Sequence, residues 1–233
     1  MEVWQKLREL RRSRKKYVIT LVLLAALVFA ALYGGRSGLN RPRLVYSQSL
    51  DEVAAVVNGS RITFRDAAVY VEMEEAQVER AAYEYNPDDP KEYWNIHVNN
   101  VFIRVAARNA AIQMAIHDEI FYRMAEADGI VLDDAEEESL ARVSADYWSD
   151  LEADGKAKRL GVTRADVEAA MRKMAYAQKY QAIYAQMEGA SVSDYDFGEA
   201  AYEELLKTQK YEIRKDAWGR VDFGNVTIVR GEQ

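Results

Sequence analysis

Residues 17–33, YVITLVLLAALVFAALY, form an uncharged apolar run that divides the chain into two parts meeting different solvents. At ~1.5 Å per helical residue the run spans ~25 Å, the lower end of what a bilayer core requires. Charge brackets it on both sides. Residues 1–16 carry seven basic side chains (Lys6, Arg8, Arg11, Arg12, Arg14, Lys15 and Lys16) against two Glu, and residues 34–43 add Arg36, Arg41 and Arg43. The larger positive charge before the run predicts a basic cytoplasmic segment over 1–16 and a single transmembrane anchor over 17–33, with everything beyond it outside the cytoplasm. Tyr17 and Tyr33 suit the two interfaces, with Lys15, Lys16 and Arg36 reaching outward. Val28-Phe29-Ala30 also offers small residues where a signal peptidase cuts, so a cleaved leader is the competing reading. Both place the rest of the chain in an extracytoplasmic space.

That remainder, residues 44–233, holds 21 basic and 36 acidic groups, a balance of −15. Nucleic acid is excluded as a main partner, because phosphate contacts need a basic surface. The absence of Cys removes disulfides, thiol nucleophiles and thiolate metal ligands. Only 3 Pro and 12 Gly in 233 residues argue against a sandwich or barrel and for a mainly α fold.

Punctuation along the chain predicts a linker over 34–50, a helical domain over 51–210 and a short β-rich tail over 211–233. Asn58-Gly59 lies between β-branched residues, the strongest short signal for a two-residue hairpin, because both central positions need φ > 0. Thr63 and Asp66 then form a capping-box variant opening a helix from Phe64 to about Tyr83. Pro87 and Pro90 break the chain. No Gly or Pro follows until Gly129, which allows one helix of up to ~38 residues whose Val98, Val101, Phe102, Val105, Ala106, Ile112, Ile116, Ile120 and Met124 make a single buried stripe. Asp133 or Asp134 caps a helix to about Leu151. Thr163 with Asp166 caps one that stops at Gly189, and Ser193 with Asp196 caps one to about Lys207. Tyr211, Ile213, Val221, Phe223, Val226, Ile228 and Val229 suggest one or two short strands, expected to pair with the Asn58-Gly59 hairpin so that fewer sheet edges stay open.

No catalytic or metal-binding constellation emerges, and no cofactor is expected. His97 and His117 fall twenty residues apart on one predicted helix, ~30 Å, too far to share a metal. The acidic group Asp133, Asp134, Glu136, Glu137 and Glu138 lacks an EF-hand's glycine turn and spacing, and acids in a first helical turn are expected from the dipole. Ser60 and Ser139 have no GxSxG setting. Nucleotide loops of the GxxxxGK[ST] or GxGxxG kind are missing. A stripe of Met171, Met174, Tyr176, Tyr180, Tyr184 and Met187 on one predicted helix supplies soft, amphipathic side chains of the kind that hold varied apolar segments, and it is the candidate client-binding surface.

The segment VAAVVNGSRITFRDAAVYV resembles the opening of the SurA/PrsA/PpiD-like family of extracytoplasmic chaperones, where a strand turns at Asn-Gly and enters the first helix. AIQMAIHDEIFYRMAEADGIVLDDAEEE is similar to that family's long helix and following cap, with Ile120, Ala125, Gly129 and Ile130 in the matching places. GVTRADVEAAMRKMAYAQKY resembles its returning helix, and SVSDYDFGEAAYEE the helix that leads into a parvulin isomerase domain. The four pieces cover most of residues 53–205. The resemblance implies a helical SurA N-terminal-like chaperone domain on a bacterial cytoplasmic membrane, binding unfolded or newly secreted polypeptides as a holdase or foldase-like factor near the secretion translocon. About ninety further residues make a parvulin domain, and some twenty-five follow Leu206 here, so isomerase activity is not implied. The competing readings are a scaffold subunit of an envelope complex with one dedicated partner and, from the family's own chemistry, a peptidyl-prolyl isomerase.

Overall fold

The computed structural model describes residues 44–228, and the expected cytoplasmic segment and anchor at 1–33 lie outside them. Among the described residues no helix is long and apolar enough to cross a membrane. The chain is mainly helical, with β1 (Val53–Val57), β2 (Ser60–Thr63), α1 (Phe64–Tyr85), α2 (Pro90–Tyr93), β3 (His97–Val98), β4 (Val101–Phe102), α3 (Ile103–Ala127), α4 (Asp134–Ala153), α5 (Lys156–Leu160), α6 (Arg164–Met187), α7 (Ala200–Lys207), β5 (Tyr211–Ile213) and α8 (Lys215–Trp218).

The hairpin forms as its dipeptide requires. Asn58 and Gly59 both take positive φ, 49° and 89°, and Val57 faces Ser60 across the two-residue turn. Thr63 then caps α1. Its side chain accepts from the Asp66 N–H, and the Asp66 carboxylate accepts from the Thr63 N–H at 2.8 Å. Asp133 with Glu136 and Thr163 with Asp166 build the same box at the starts of α4 and α6. At the C-terminus of α7 the chain turns back, and β5 joins β1 antiparallel, giving the sheet order β2-β1-β5.

Helix α3 is the axis of the domain, packing against α6 and α1. From Ala110 to Phe121 it is buried at every position except Met114, so the expected apolar stripe is too narrow a description. Ile112, Ile116 and Ile120 are buried as the periodicity predicts, but so are Gln113, His117, Asp118 and Glu119. Layers on several sides of one helix leave no solvent face, and the polar residues find partners within the fold or stay without them.

Four expectations are corrected. The long helix over 90–128 does not form. Asn99 and Asn100 take positive φ, 52° and 64°, and make a second two-residue hairpin, β3–β4, before α3 begins. His97 and His117 are therefore on different elements. His97 lies on the exposed hairpin with its ring 3.6 Å from that of Phe102, whereas His117 is buried on α3. Residues 44–50, read as linker, contribute Leu44, Tyr46 and Leu50 to the core, and the Tyr46 hydroxyl donates to the Phe64 carbonyl at 2.6 Å. Ser193 and Asp196 do not start a helix: Ser191 and Asp194 form the box, around a 3-10 turn, and α7 begins only at Ala200. The tail is a strand only at β5. Residues 219–228 instead run as turns against α1 and α3, burying Val221 and Phe223.

Candidate functional site

The Met/Tyr stripe on α6 packs largely inward. Tyr180 is 4% exposed, and its hydroxyl donates to the Asp128 carboxylate at the end of α3. Tyr184 meets Phe121 and Tyr195 edge-on at 6.0 and 5.0 Å, and Tyr176 meets Tyr122 edge-on at 6.0 Å. Met171 and Met174 are half-buried against the core. Met187, 68% exposed at the end of α6, is the one member of the six that solvent reaches freely. The stripe is thus mostly the seam between α6 and α3, because aromatic residues at helical spacing gain more from edge-to-face packing inside than from exposure.

A different surface gathers polar and aromatic groups around a concavity. Helix α1 sets Glu72, Glu75 and Glu79 in a row, spaced by three and four so that they share one face. Carboxylates in such a row normally read as a solvated face, yet Glu72 and Glu75 are buried. Each is held by a different part of the fold. Glu72 accepts from the Tyr147 hydroxyl at 2.5 Å and from Lys156 Nζ at 2.9 Å. Glu79 accepts from the Trp94 indole at 2.7 Å. Glu75 accepts the Gly224 and Val226 N–H groups on Oε1, at 2.6 and 3.2 Å, and the Thr227 N–H and hydroxyl on Oε2, both at 2.6 Å. Burial raises the Glu75 pKa, and the four donated hydrogen bonds pull against that rise. The glycine is required here, since its φ is +89° and a Cβ would lie 2.8 Å from the Trp94 ring.

Beside this row lies a cavity of about 480 Å3, walled by Ala76, Glu79, Arg80 and Tyr83 of α1, Asp154 and Lys156 at the α4–α5 corner, and Thr227 and Ile228 of the tail. Lys156 bridges Glu72 and Asp154, the latter at 3.3 Å, and Arg159 donates to the Ile228 carbonyl at 3.0 Å. Tyr83 stands 54% exposed on the wall, and Tyr85, also exposed, stacks obliquely on Tyr93 at 5.5 Å. The cavity therefore offers an aromatic face at Tyr83, an exposed Arg80 and, on the tail side, Thr227 and Ile228. None of the six α6 residues lines it.

Groups that could do chemistry elsewhere are committed to structure. Ser60 Oγ donates to Glu119 at 2.5 Å and accepts from Arg123 at 2.8 Å. Glu119 also binds Lys173 at 2.5 Å. Burial by itself would raise its pKa, but Lys173 and the bonds from Ser60 and Arg123 outweigh that and lower it. His117 has Nδ1 2.8 Å from an Asp118 carboxylate oxygen and Nε2 2.9 Å from the Tyr195 carbonyl, while Asp118 accepts from the Tyr70 hydroxyl at 2.8 Å. Among the described residues no group of three or more His, Cys, Asp or Glu could hold a metal ion. Sequence reasoning missed the buried carboxylate row, whose only signal was three acids at helical spacing within a polar stretch that reads as a solvated face. Compared with known proteins, the chain matches no family model, no curated protein and no solved structure.

Proposed function

We propose that the chain is a membrane-anchored, non-catalytic extracytoplasmic chaperone that holds unfolded or newly secreted polypeptides. The observation that carries the reading is the cavity beside the carboxylate row, where an exposed Tyr83, Arg80 and the tail residues Thr227 and Ile228 meet. Such a lining can engage varied polypeptide without reading one sequence. The order of elements supports it too, with an Asn-Gly hairpin feeding a capped helix, a long buried helix and a returning helix at the places where the sequence resembles SurA/PrsA/PpiD-like proteins. The uncharged run at 17–33 and its basic flank supply the anchor in this reading, with the ectodomain outside a bacterial cytoplasmic membrane.

Light scattering from two unrelated proteins unfolding in the presence of the chain tests it. Suppression of both at near-stoichiometric ratio is expected, weakened by Tyr83→Ala. No suppression by a folded chain would refute the proposal. One observation favours a dedicated scaffold instead. The Met/Tyr stripe is largely internal, leaving scattered exposed apolar residues such as Val131, Val143 and Met187 rather than a broad patch. A scaffold would capture one partner tightly and leave both clients to aggregate.

A further inference from the structure

Helix α4 is held to the domain differently from α1 and α3. Those two bury half of their residues or more, whereas of the twenty residues Asp134–Ala153 only Ser144 and Leu151 are buried. Leu140, Tyr147 and Trp148 are half-buried, and Val143 is 50% exposed. The Ser144 hydroxyl has no hydrogen-bond partner among the described residues, so closing the helix down desolvates a polar group without compensation. The helix packs on α6 and on the short α5 that follows it. Its most specific ties are polar. The Arg172 guanidinium donates to both Glu137 carboxylate oxygens, at 2.6 and 2.7 Å, and Lys179 donates to Glu136 at 2.5 Å and to the Val131 carbonyl at 2.9 Å. These four ionic side chains are between 27% and 49% exposed, where water and salt weaken the pairing. Gly129 precedes the helix and Gly155 follows it, each at φ +66°, and a Cβ at either would meet nothing within 4 Å. The backbone at both ends can therefore turn without displacing a neighbour.

We propose that α4 is a lid, which swings off α6 about the backbone at Gly129 and Gly155 while α1, α3 and α6 stay packed, and that the pairs to Arg172 and Lys179 are its latch. An element with little buried apolar surface and solvent-reached ties opens at a lower free energy than the core it rests on. Opening withdraws the Tyr147 hydroxyl from Glu72. It also moves Asp154, which ends α4 and forms one wall of the cavity, so the lid sets how wide the candidate site stands. Tyr176, four residues after Arg172 and three before Lys179 on the same face of α6, is bared with them. Salt favours the open form, because it screens the latch pairs and leaves the buried contacts of α1 with α3 untouched. The lid goes beyond the polypeptide-holding reading and stands or falls without it.

The chain has no Cys, so one introduced thiol reports on one place. Ser144→Cys sets it beneath α4, near in size and with no hydrogen bond to lose. Val71→Cys sets it in α1 at a position 0% exposed, where only unfolding of the whole domain reaches it. The full chain in detergent is treated with N-ethylmaleimide and the labelled fraction followed by mass. Labelling is expected to be at least about 100-fold faster for Ser144→Cys than for Val71→Cys. Raising NaCl from about 0.05 to about 0.5 M, or adding Arg172→Ala, is expected to speed the Ser144→Cys reaction roughly threefold and to leave Val71→Cys unchanged. Equal rates for the two thiols would mean that α4 leaves only when the whole domain unfolds, and the lid falls. Fast labelling that neither salt nor Arg172→Ala alters overturns the latch. Should Ser144→Cys fail to fold, nitroxides on the exposed pair Val143→Cys and Ala182→Cys decide by their separation. A second, longer distance that grows with salt is expected, and one unchanged distance at both salt concentrations refutes the lid.

Discussion

At the scale of single residues the domain buries several ionisable groups, and two of them hold a proton more tightly in the folded chain than in the unfolded one. Glu74 on α1 has a side-chain oxygen without a partner, and burial pushes its pKa up to about 8 from an ordinary 4.5. It is a neutral acid at neutral pH. Its folded pKa lies above its unfolded one, so stability is fully present below about 4.5 and declines as pH rises through 8, by about 1.4 kcal/mol per pH unit within that window. Urea unfolding at pH 5.5 and 8 is expected to show the slope, and Glu74→Leu to flatten it while raising stability at pH 8. An unchanged slope would assign the loss to another group. His117 is likewise favoured in its protonated form. Burial pulls its pKa down, but the bonds to Asp118 and the Tyr195 carbonyl, with the Asp196 charge, raise it overall, because both ring nitrogens face acceptors. Its contribution is present below the unfolded value near 6.5 and is lost as pH rises through the raised folded value. Ring nitrogen shifts in NMR are expected to report an imidazolium at pH 6.5, and a neutral tautomer there would contradict the geometry.

Among elements, the turns and caps were the legible part of the sequence. Asn58-Gly59, Thr63 with Asp66, Asp133 and Thr163 all do what their local chemistry predicts, because a turn or cap is decided by neighbours within four residues. The β3–β4 hairpin was not legible: Asn99-Asn100 uses the tolerance of asparagine for positive φ without the glycine that makes such a turn conspicuous. The carboxylate row of α1 was hidden for another reason, since its partners come from α4, α5 and a tail some 150 residues later. The surface expected on α6 is mostly a helix seam, because aromatic spacing alone does not tell an exposed face from an interior one. The tail contact carries its own prediction. Glu75→Gln keeps the shape but points an amide at donors, and it is expected to cost about 2–4 kcal/mol, measured by urea denaturation. A loss under about 0.5 kcal/mol would show that the tail is held by Phe223 and Val221 rather than by the carboxylate.

For the molecule as a whole, the sheet ties the beginning of the domain to its end. Asn58 donates to Gln209 at 2.7 Å across 151 positions, Leu44 N–H reaches the Arg220 carbonyl at 3.4 Å, and Trp218 fills the core beside Phe64. Removing residues 211–233 is expected to lower the melting temperature by well over 10 °C or abolish cooperative melting, given the burial of Trp218, Val221 and Phe223. A melt within a few degrees of the parent would make the tail an ornament on a finished domain. The same tie has a consequence in time. The strand at the centre of the sheet is made early, and one of its two neighbours is made only after α1 to α7. As synthesis proceeds from the amino end, β1 keeps one flank open until β5 follows. Completion of the sheet is then a late event, and synthesis interrupted before β5 would leave a product marked for proteolysis by the very edge that β5 should have covered.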